Sequence, residues 1–355
     1  MDKYRIDGHK LIYHPDRVAA WLRGENVYPL YMEISPAGSC NHRCVFCGLD
    51  FMDYQRRFLD TGLLIERLEE MGRLGLRSVM HAGEGEPFLH RDMAAIVEHT
   101  HAAGIETAFT TNATLMTPEI SRRILPHTAW IKVSFNAGRA ATYAAIHRTK
   151  EAHFHLALDN LRAAVAIRAE HGHACTLGLQ ILLLPENRDE IEELAGIARD
   201  LGLDYLVVKP YSQHPQSHTD RYKDVDYGFA EDLAARLEAY RTERFSPIVR
   251  LRTIHKWQEK DRPYERCLAL PFWSYLDAGG NVWGCSVFLG DERFLYGNIA
   301  EQTFQEIWEG EKRRASMEWF RSQFDPSHCR INCRMDEINR YLWDLTHPPA
   351  HSAFI

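Results

Sequence analysis

Three cysteines, Cys40, Cys44 and Cys47, stand together in Ser39-Cys40-Asn41-His42-Arg43-Cys44-Val45-Phe46-Cys47-Gly48. Three is the wrong number for zinc, whose structural sites take four ligands. A [4Fe–4S] cluster also has four metal corners, each usually held by a cysteine thiolate. Three thiolates on one short loop leave one iron open to something that is not protein. Cluster chemistry on a bound cofactor requires that arrangement. A zinc knuckle borrowing His42 as fourth ligand, or a group of buried structural thiols, is the alternative reading.

The spacing C-x3-C-x2-C, with Phe46 just before the third cysteine, resembles the signature of the radical S-adenosylmethionine (radical SAM) superfamily. The resemblance implies that the open iron is chelated by the amino and carboxylate groups of S-adenosylmethionine. The reduced cluster then splits the sulfonium to give a 5′-deoxyadenosyl radical, and Phe46 packs near the adenine. An external electron donor such as flavodoxin or ferredoxin is implied as well. Two more loops carry the likeness. Ala82-Gly83-Glu84-Gly85-Glu86-Pro87-Phe88-Leu89 resembles the superfamily's Gly-Gly-Glu-Pro motif, with Glu84 in place of the first glycine. It implies cofactor contacts from Gly85, Glu86 and Pro87, with Glu86 and the carbonyls around Gly85 meeting the methionine ammonium. Thr110-Thr111-Asn112-Ala113-Thr114-Leu115 resembles the Thr-Asn-Gly segment, with Ala113 in place of glycine, and brings Asn112 to the cofactor. By the same resemblance Ser134 and Asn136 hold ribose and carboxylate, and Gln180 and Val207 contact adenosine.

A second cysteine set, Cys267, Cys285, Cys329 and Cys333, follows in the last third of the chain. An aromatic run at 272–276, the turn Asp277-Ala278-Gly279-Gly280 and Cys285 read as a hairpin whose second strand ends on a ligand. This resembles the twitch or SPASM domain, which clamps an auxiliary [4Fe–4S] cluster. Four thiolates close a cluster completely, so its role is to move one electron. Structural zinc takes the same four donors. Cys175 is left over: a buried thiol at a strand start, or a hydrogen donor to a substrate radical.

These loops need a scaffold. Strands are expected at 28–34, 76–81, 105–110, 130–135, 176–184 and 205–209, with helices at 61–75, 92–104, 152–171 and 188–202. The fold class is α/β, and six βα units resemble the partial (β/α)6 TIM-type barrel of the radical SAM core. Residues 1–30 form an N-terminal extension, with a small hairpin at Asp7-Gly8 and a short helix at 15–24. The core barrel covers 31–225, a connecting helical segment 226–262, and the twitch/SPASM-like auxiliary-cluster domain 263–355, with one helix over 304–320.

Lumen positions of a barrel are normally bulky and branched. Here alternating positions are polar: Glu33 and Ser35; Lys132, Ser134 and Asn136; Thr176, Gly178 and Gln180; Tyr205 and Lys209. Placed in the lumen, they suit a polar ligand. Glu33, Lys132 and Lys209 are therefore substrate candidates, joined by Tyr211, Gln213 and His214 on the loop leaving the sixth strand. Arg139, His147 and Arg148 are weaker ones.

The chain has 355 residues, 45% apolar content and a net charge of −7 with no basic cluster, which argues against nucleic acid as partner. No stretch approaches a membrane span, and thiols kept for metal imply the reducing cytoplasm. The expected reaction is hydrogen abstraction from a small polar molecule, a sugar or aminocyclitol before a peptide. The auxiliary cluster would take an electron, for net dehydrogenation. Epimerisation, elimination or decarboxylation of such a substrate, and modification of a ribosomally made peptide, are the alternatives.

Overall fold

The computed structural model describes residues 4–259 and 262–354. Strand β1, Tyr31–Ile34, buries Met32 and Ile34 in the main apolar core, and strand alternation puts Tyr31 and Glu33 on the opposite face. Five parallel strands follow in chain order: β2 Ser78–His81, β3 Glu106–Thr111, β4 Thr128–Ser134, β5 Thr176–Leu183 and β6 Tyr205–Pro210. The helices between them bury their apolar stripes against the same core. Thr61–Arg73, for example, places Leu64, Leu68 and Met71 there at helical spacing. All six expected strands form.

The sheet then outruns the expectation at both ends. In the segment expected to be helical, β7, Ser246–Val249, pairs parallel with β6, flanked by helices Ala230–Leu237 and Leu251–Glu259. Pro247 is tolerated because β7 is the edge strand, where a missing N–H need not break a ladder. At the other end β8, Trp273–Leu276, pairs parallel with β1, and β9, Asn281–Trp283, and β10, Leu295–Asn298, extend it antiparallel. The order β10-β9-β8-β1-β2-β3-β4-β5-β6-β7 is that of an open, partial barrel. The C-terminal unit is thus a continuation of the core sheet.

Two other expectations are corrected. Among the described residues the N-terminal segment forms no hairpin at Asp7. Instead Asp7 accepts hydrogen bonds from Arg250 (3.1 Å), the Arg252 N–H (2.9 Å) and Thr253 (2.6 Å), while Tyr4 packs on Tyr205 with ring centres 5.4 Å apart. The expected helix over 304–320 is two helices, Phe304–Glu309 and Glu311–Ser322, parted by Gly310 in an extended conformation. Helical periodicity runs through the break, so the apolar pattern does not reveal it.

The hairpin of β8 and β9 turns on one buried carboxylate. Asp277 accepts from the Gly279 N–H (2.7 Å), the Asn281 N–H (3.0 Å), Asn281 Nδ2 (2.9 Å) and Trp283 Nε1 (2.8 Å). Each orphaned buried donor costs about 1–3 kcal/mol. Asp277→Ala is therefore expected to destabilise the protein by about 3 kcal/mol in thermal unfolding.

Candidate active site

The loop after β1 carries Cys40, Cys44 and Cys47, and its backbone is pinned from two sides. The N–H groups of Arg43 and Val45 donate to the carbonyls of His147 (3.1 Å) and Ile146 (2.9 Å). Ser39 accepts from the Glu86 N–H (3.0 Å), which ties the loop to the turn after β2. All eight cysteines are free thiols. Burial pushes the thiols of Cys40, to about 12, and of Cys44 and Cys47 upward, and neighbouring sulfurs raise those of Cys40 and Cys44 further. Bound metal reverses that preference, because a coordinating thiol is deprotonated outright.

Donors already aim at these sulfurs. The His42 N–H lies 3.5 Å from the Cys40 sulfur, and His147 Nδ1 lies 3.2 Å from the Cys44 sulfur. His147 Nε2 accepts the Asn136 N–H at 3.2 Å. In the neutral ring that burial favours, Nδ1 therefore carries the proton and donates to Cys44. Hydrogen bonds to cluster sulfurs tune reduction potential. His42, the ligand a zinc reading would borrow, does stand within 4.8 Å of the ligand atoms of Cys44 and His147.

The Gly-Glu-Gly-Glu-Pro turn is built by close approach. A Cβ on Gly85 would lie 2.0 Å from the Ser39 carbonyl and 2.6 Å from that of Ala37. The buried Glu86 carboxylate accepts from Thr111, the Asn112 N–H (2.8 Å) and the Phe88 N–H (3.3 Å), and burial lifts its pKa to about 7. It thereby joins the loops after β2 and β3. Asn112 in turn donates to Asn41 at 2.7 Å, stitching the third loop to the cysteines. Ala113, where the family has glycine, takes the left-handed conformation at φ +61° all the same. Asn136 is engaged within the chain, accepting the Leu182 N–H at 2.8 Å. Glu84 is buried and departs from the motif for a reason the sequence does not reveal. It accepts from Arg57 (2.7 Å) and from the Ala278 N–H (3.0 Å), bracing the core against the hairpin turn.

Inside the sheet lies a cavity of about 480 Å3, within the range of small-molecule sites. Phe46 and Gly48 of the cysteine loop line it, as do Tyr31, Lys132, Gln180, Lys209 and Tyr211. Several expected residues lie elsewhere. Glu33 is buried in an ion pair with Arg334, whose own side chain does line the cavity. Val207 lines a second cavity beside Tyr4 and Arg5. Gln213 hydrogen-bonds the Thr219 carbonyl (2.7 Å), and His214 stacks on Phe51 with ring centres 5.0 Å apart. Cys175 packs in the apolar core at the start of β5, its thiol pushed up to about 12 by burial. The sequence reading missed Arg250, Lys256, Arg330 and Arg334, all in the lining. The run Cys329-Arg330-Ile331-Asn332-Cys333-Arg334, with two arginines set among cysteines, was the available signal.

Cys267, Cys285, Cys329 and Cys333 line one further cavity, walled by Leu270, Trp273, Phe288 and Phe320. N–H donors reach three of the sulfurs: Asn339 Nδ2 to Cys267, Val287 N–H to Cys285 and Met335 N–H to Cys333, each at 3.4 Å. Four free thiols around one apolar hollow, with donors aimed at sulfur, fit a four-thiolate metal cluster.

Two family profiles match the chain: the radical SAM superfamily over residues 34–198, and an iron–sulfur cluster-binding domain, SPASM, over residues 267–334. A cofactor-modifying protein for tungsten-containing aldehyde ferredoxin oxidoreductase from Pyrococcus furiosus is 23% identical over 308 residues, 82% of each chain. An AdoMet-dependent heme synthase from Methanosarcina barkeri is 24% identical over 319 residues, 85% of this chain and 86% of its own. The crystal structure of Streptococcus suis SuiB bound to S-adenosylmethionine superposes with a TM-score of 0.64 at 19% identity, over 92% of this chain and 76% of that one. Among the described residues no helix is long and apolar enough to cross a membrane.

Proposed function

We propose, from the premise that this chain belongs to the radical SAM superfamily and carries a C-terminal SPASM domain, that it oxidises a small polar substrate of the sugar class by two electrons. Cys40, Cys44 and Cys47 would hold the cluster that binds S-adenosylmethionine; Cys267, Cys285, Cys329 and Cys333 would hold the auxiliary one. When bound, the first supplies a 5′-deoxyadenosyl radical that takes a hydrogen atom from substrate, and the second supplies a one-electron acceptor. The loop carbonyls around Gly85, with Glu86 behind them, would orient the cofactor's ammonium. Asn112, Ser134, Asn136 and Gln180 would border its ribose and carboxylate. A flavodoxin or ferredoxin would provide the initiating electron.

One observation carries the redox assignment. Cys333 lines both the central cavity and the four-cysteine hollow, while Phe46 and Gly48 bring the first cysteine loop to the same central space. A substrate held there lies between the two thiol sets. Hydrogen return from Cys175 is disfavoured, because that thiol sits in the apolar core.

The test is anaerobic incubation of the reconstituted enzyme with S-adenosylmethionine, dithionite and a soluble metabolite extract. Mass spectrometry should find a product two hydrogens lighter than its substrate, formed one-to-one with 5′-deoxyadenosine. In Cys285→Ala the product should fall at least tenfold while 5′-deoxyadenosine continues to form. A product of unchanged mass that gains one deuterium from heavy water would refute the oxidation.

A further inference from the structure

The central cavity holds more positive charge than the chain itself neutralises. Six basic side chains line it: Lys132, Lys209, Arg250, Lys256, Arg330 and Arg334. Carboxylates match three. Arg250 pairs with Asp7 (3.1 Å), Lys256 with Asp336 (2.8 Å) and Glu337 (2.7 Å), and Arg334 with Glu33. Among the described residues no ion pair reaches Lys132, Lys209 or Arg330. They come from β4, from β6 and from the loop between Cys329 and Cys333, so the topology brings them together from three sides.

Physical chemistry opposes this arrangement in an empty protein. Burial alone disfavours a charged ammonium, and Lys209 is pulled down by burial and then by Lys132, Arg250 and Arg330. Lys132 is pulled to about 8 by burial and Arg250. A buried charge is retained at such cost when something compensates it. The lining also leaves polar atoms unpaired: Arg330 Nε, Ser212 Oγ and both polar atoms of the Asn332 side chain are buried with no hydrogen-bond partner among the described residues. Arg330 and Asn332 thus stand in the lining with hydrogen-bonding capacity that the described residues leave unused.

We infer that this cavity binds a substrate carrying at least two negative charges, a phosphate ester or a polycarboxylate, held by Lys132, Lys209 and Arg330. S-adenosylmethionine has a single carboxylate, and the thiolates of a cluster at Cys329 and Cys333 would offset charge at the neighbouring Arg330, so the lysine pair stays short of counter-charge. A multivalent oxyanion supplies it, and arginine offers the fork geometry that oxyanions accept. An aminocyclitol would bring further positive charge into the same space, so among sugar-class substrates an acidic or phosphorylated one fits. This inference rests on the function proposed above.

The test uses the holoenzyme with S-adenosylmethionine, and inorganic pyrophosphate, citrate, glucose and glucosamine as probes at fixed ionic strength. Pyrophosphate or citrate should raise the thermal midpoint by several degrees and bind calorimetrically with a dissociation constant below about 1 mM. Whichever binds tighter separates phosphate from carboxylate chemistry. Lys209→Met and Lys132→Met should each raise the midpoint of the anion-free protein, because an unpaired buried charge is gone, and weaken the anion at least tenfold. Arg330→Gln should weaken it similarly. The inference is overturned if glucosamine stabilises and the anions do not, if the variants bind anion as the parent does, or if they lose S-adenosylmethionine affinity alone. Failure of the parent enzyme to cleave S-adenosylmethionine with dithionite would sink the radical reading instead, whatever the anions do.

Discussion

Replacing Cys40, Cys44 and Cys47 together with alanine is expected to halve the iron of the anaerobically reconstituted protein, from about eight per chain to about four, and to abolish formation of 5′-deoxyadenosine. The halving follows from the geometry. The first thiol set stands on the loop after β1, whereas Cys267, Cys285, Cys329 and Cys333 line a hollow of their own and keep their sulfur-directed donors when the first loop is emptied. Iron analysis and chromatography read the two effects independently. Cleavage that survives in the triple variant would remove the assignment of this loop. Zinc in place of the remaining iron would remove that of the auxiliary centre.

The two thiol sets were legible because cysteine spacing is written in the chain itself. Cys40, Cys44 and Cys47 lie within one loop, and their spacing survives whatever surrounds it. The six strands were legible for a similar reason, since each is a local run. What stayed hidden is non-local. Nothing in Trp273–Leu276 announces that it will lie parallel to Tyr31–Ile34, and a proline in Ser246–Val249 reads as a break until the strand proves to be an edge. Glu84 looked like a flawed glycine motif because its partners, Arg57 and the Ala278 N–H, sit far off in sequence. The cavity's charge was half read. Lys132 and Lys209 stand at alternating strand positions, whereas Arg250 and Arg330 reach it from segments linked to them only in space.

Gly85→Ala is expected to be as damaging as the loss of ligands, without touching one. The new methyl would meet the Ser39 carbonyl at 2.0 Å and the Ala37 carbonyl at 2.6 Å, and both are backbone atoms that cannot rotate aside. Either the turn or the cysteine loop must shift, and the Glu86 N–H bond to Ser39 goes with it. Overpacking of this kind costs about 1–3 kcal/mol or more. Because the shift falls between the cysteine loop and the turn proposed to orient the cofactor, 5′-deoxyadenosine formation should drop at least a hundredfold. Gly196→Ala is the matched control. It lies within the helix Ile191–Asp200, its added Cβ meets only Tyr240 at 3.6 Å, and helix propensity favours alanine by about 1 kcal/mol. Thermal unfolding and activity should separate the two glycines cleanly. A Gly85→Ala enzyme that turns over normally would show that the turn is not where the cofactor is gripped.

The pairing of β1 with β8 also sets an order of events at birth. A ribosome releases the chain from its N-terminus, so β1 and the cysteine loop behind it emerge with β2 available on one side and nothing on the other. The second neighbour does not exist until Trp273–Leu276 has been made. Throughout that interval the nascent barrel carries a naked edge, the kind of edge that recruits strangers. The cysteine loop thus hangs from a half-paired strand until the last third of the chain is complete. A product terminated before Trp273 would be a sticky intermediate rather than a smaller enzyme.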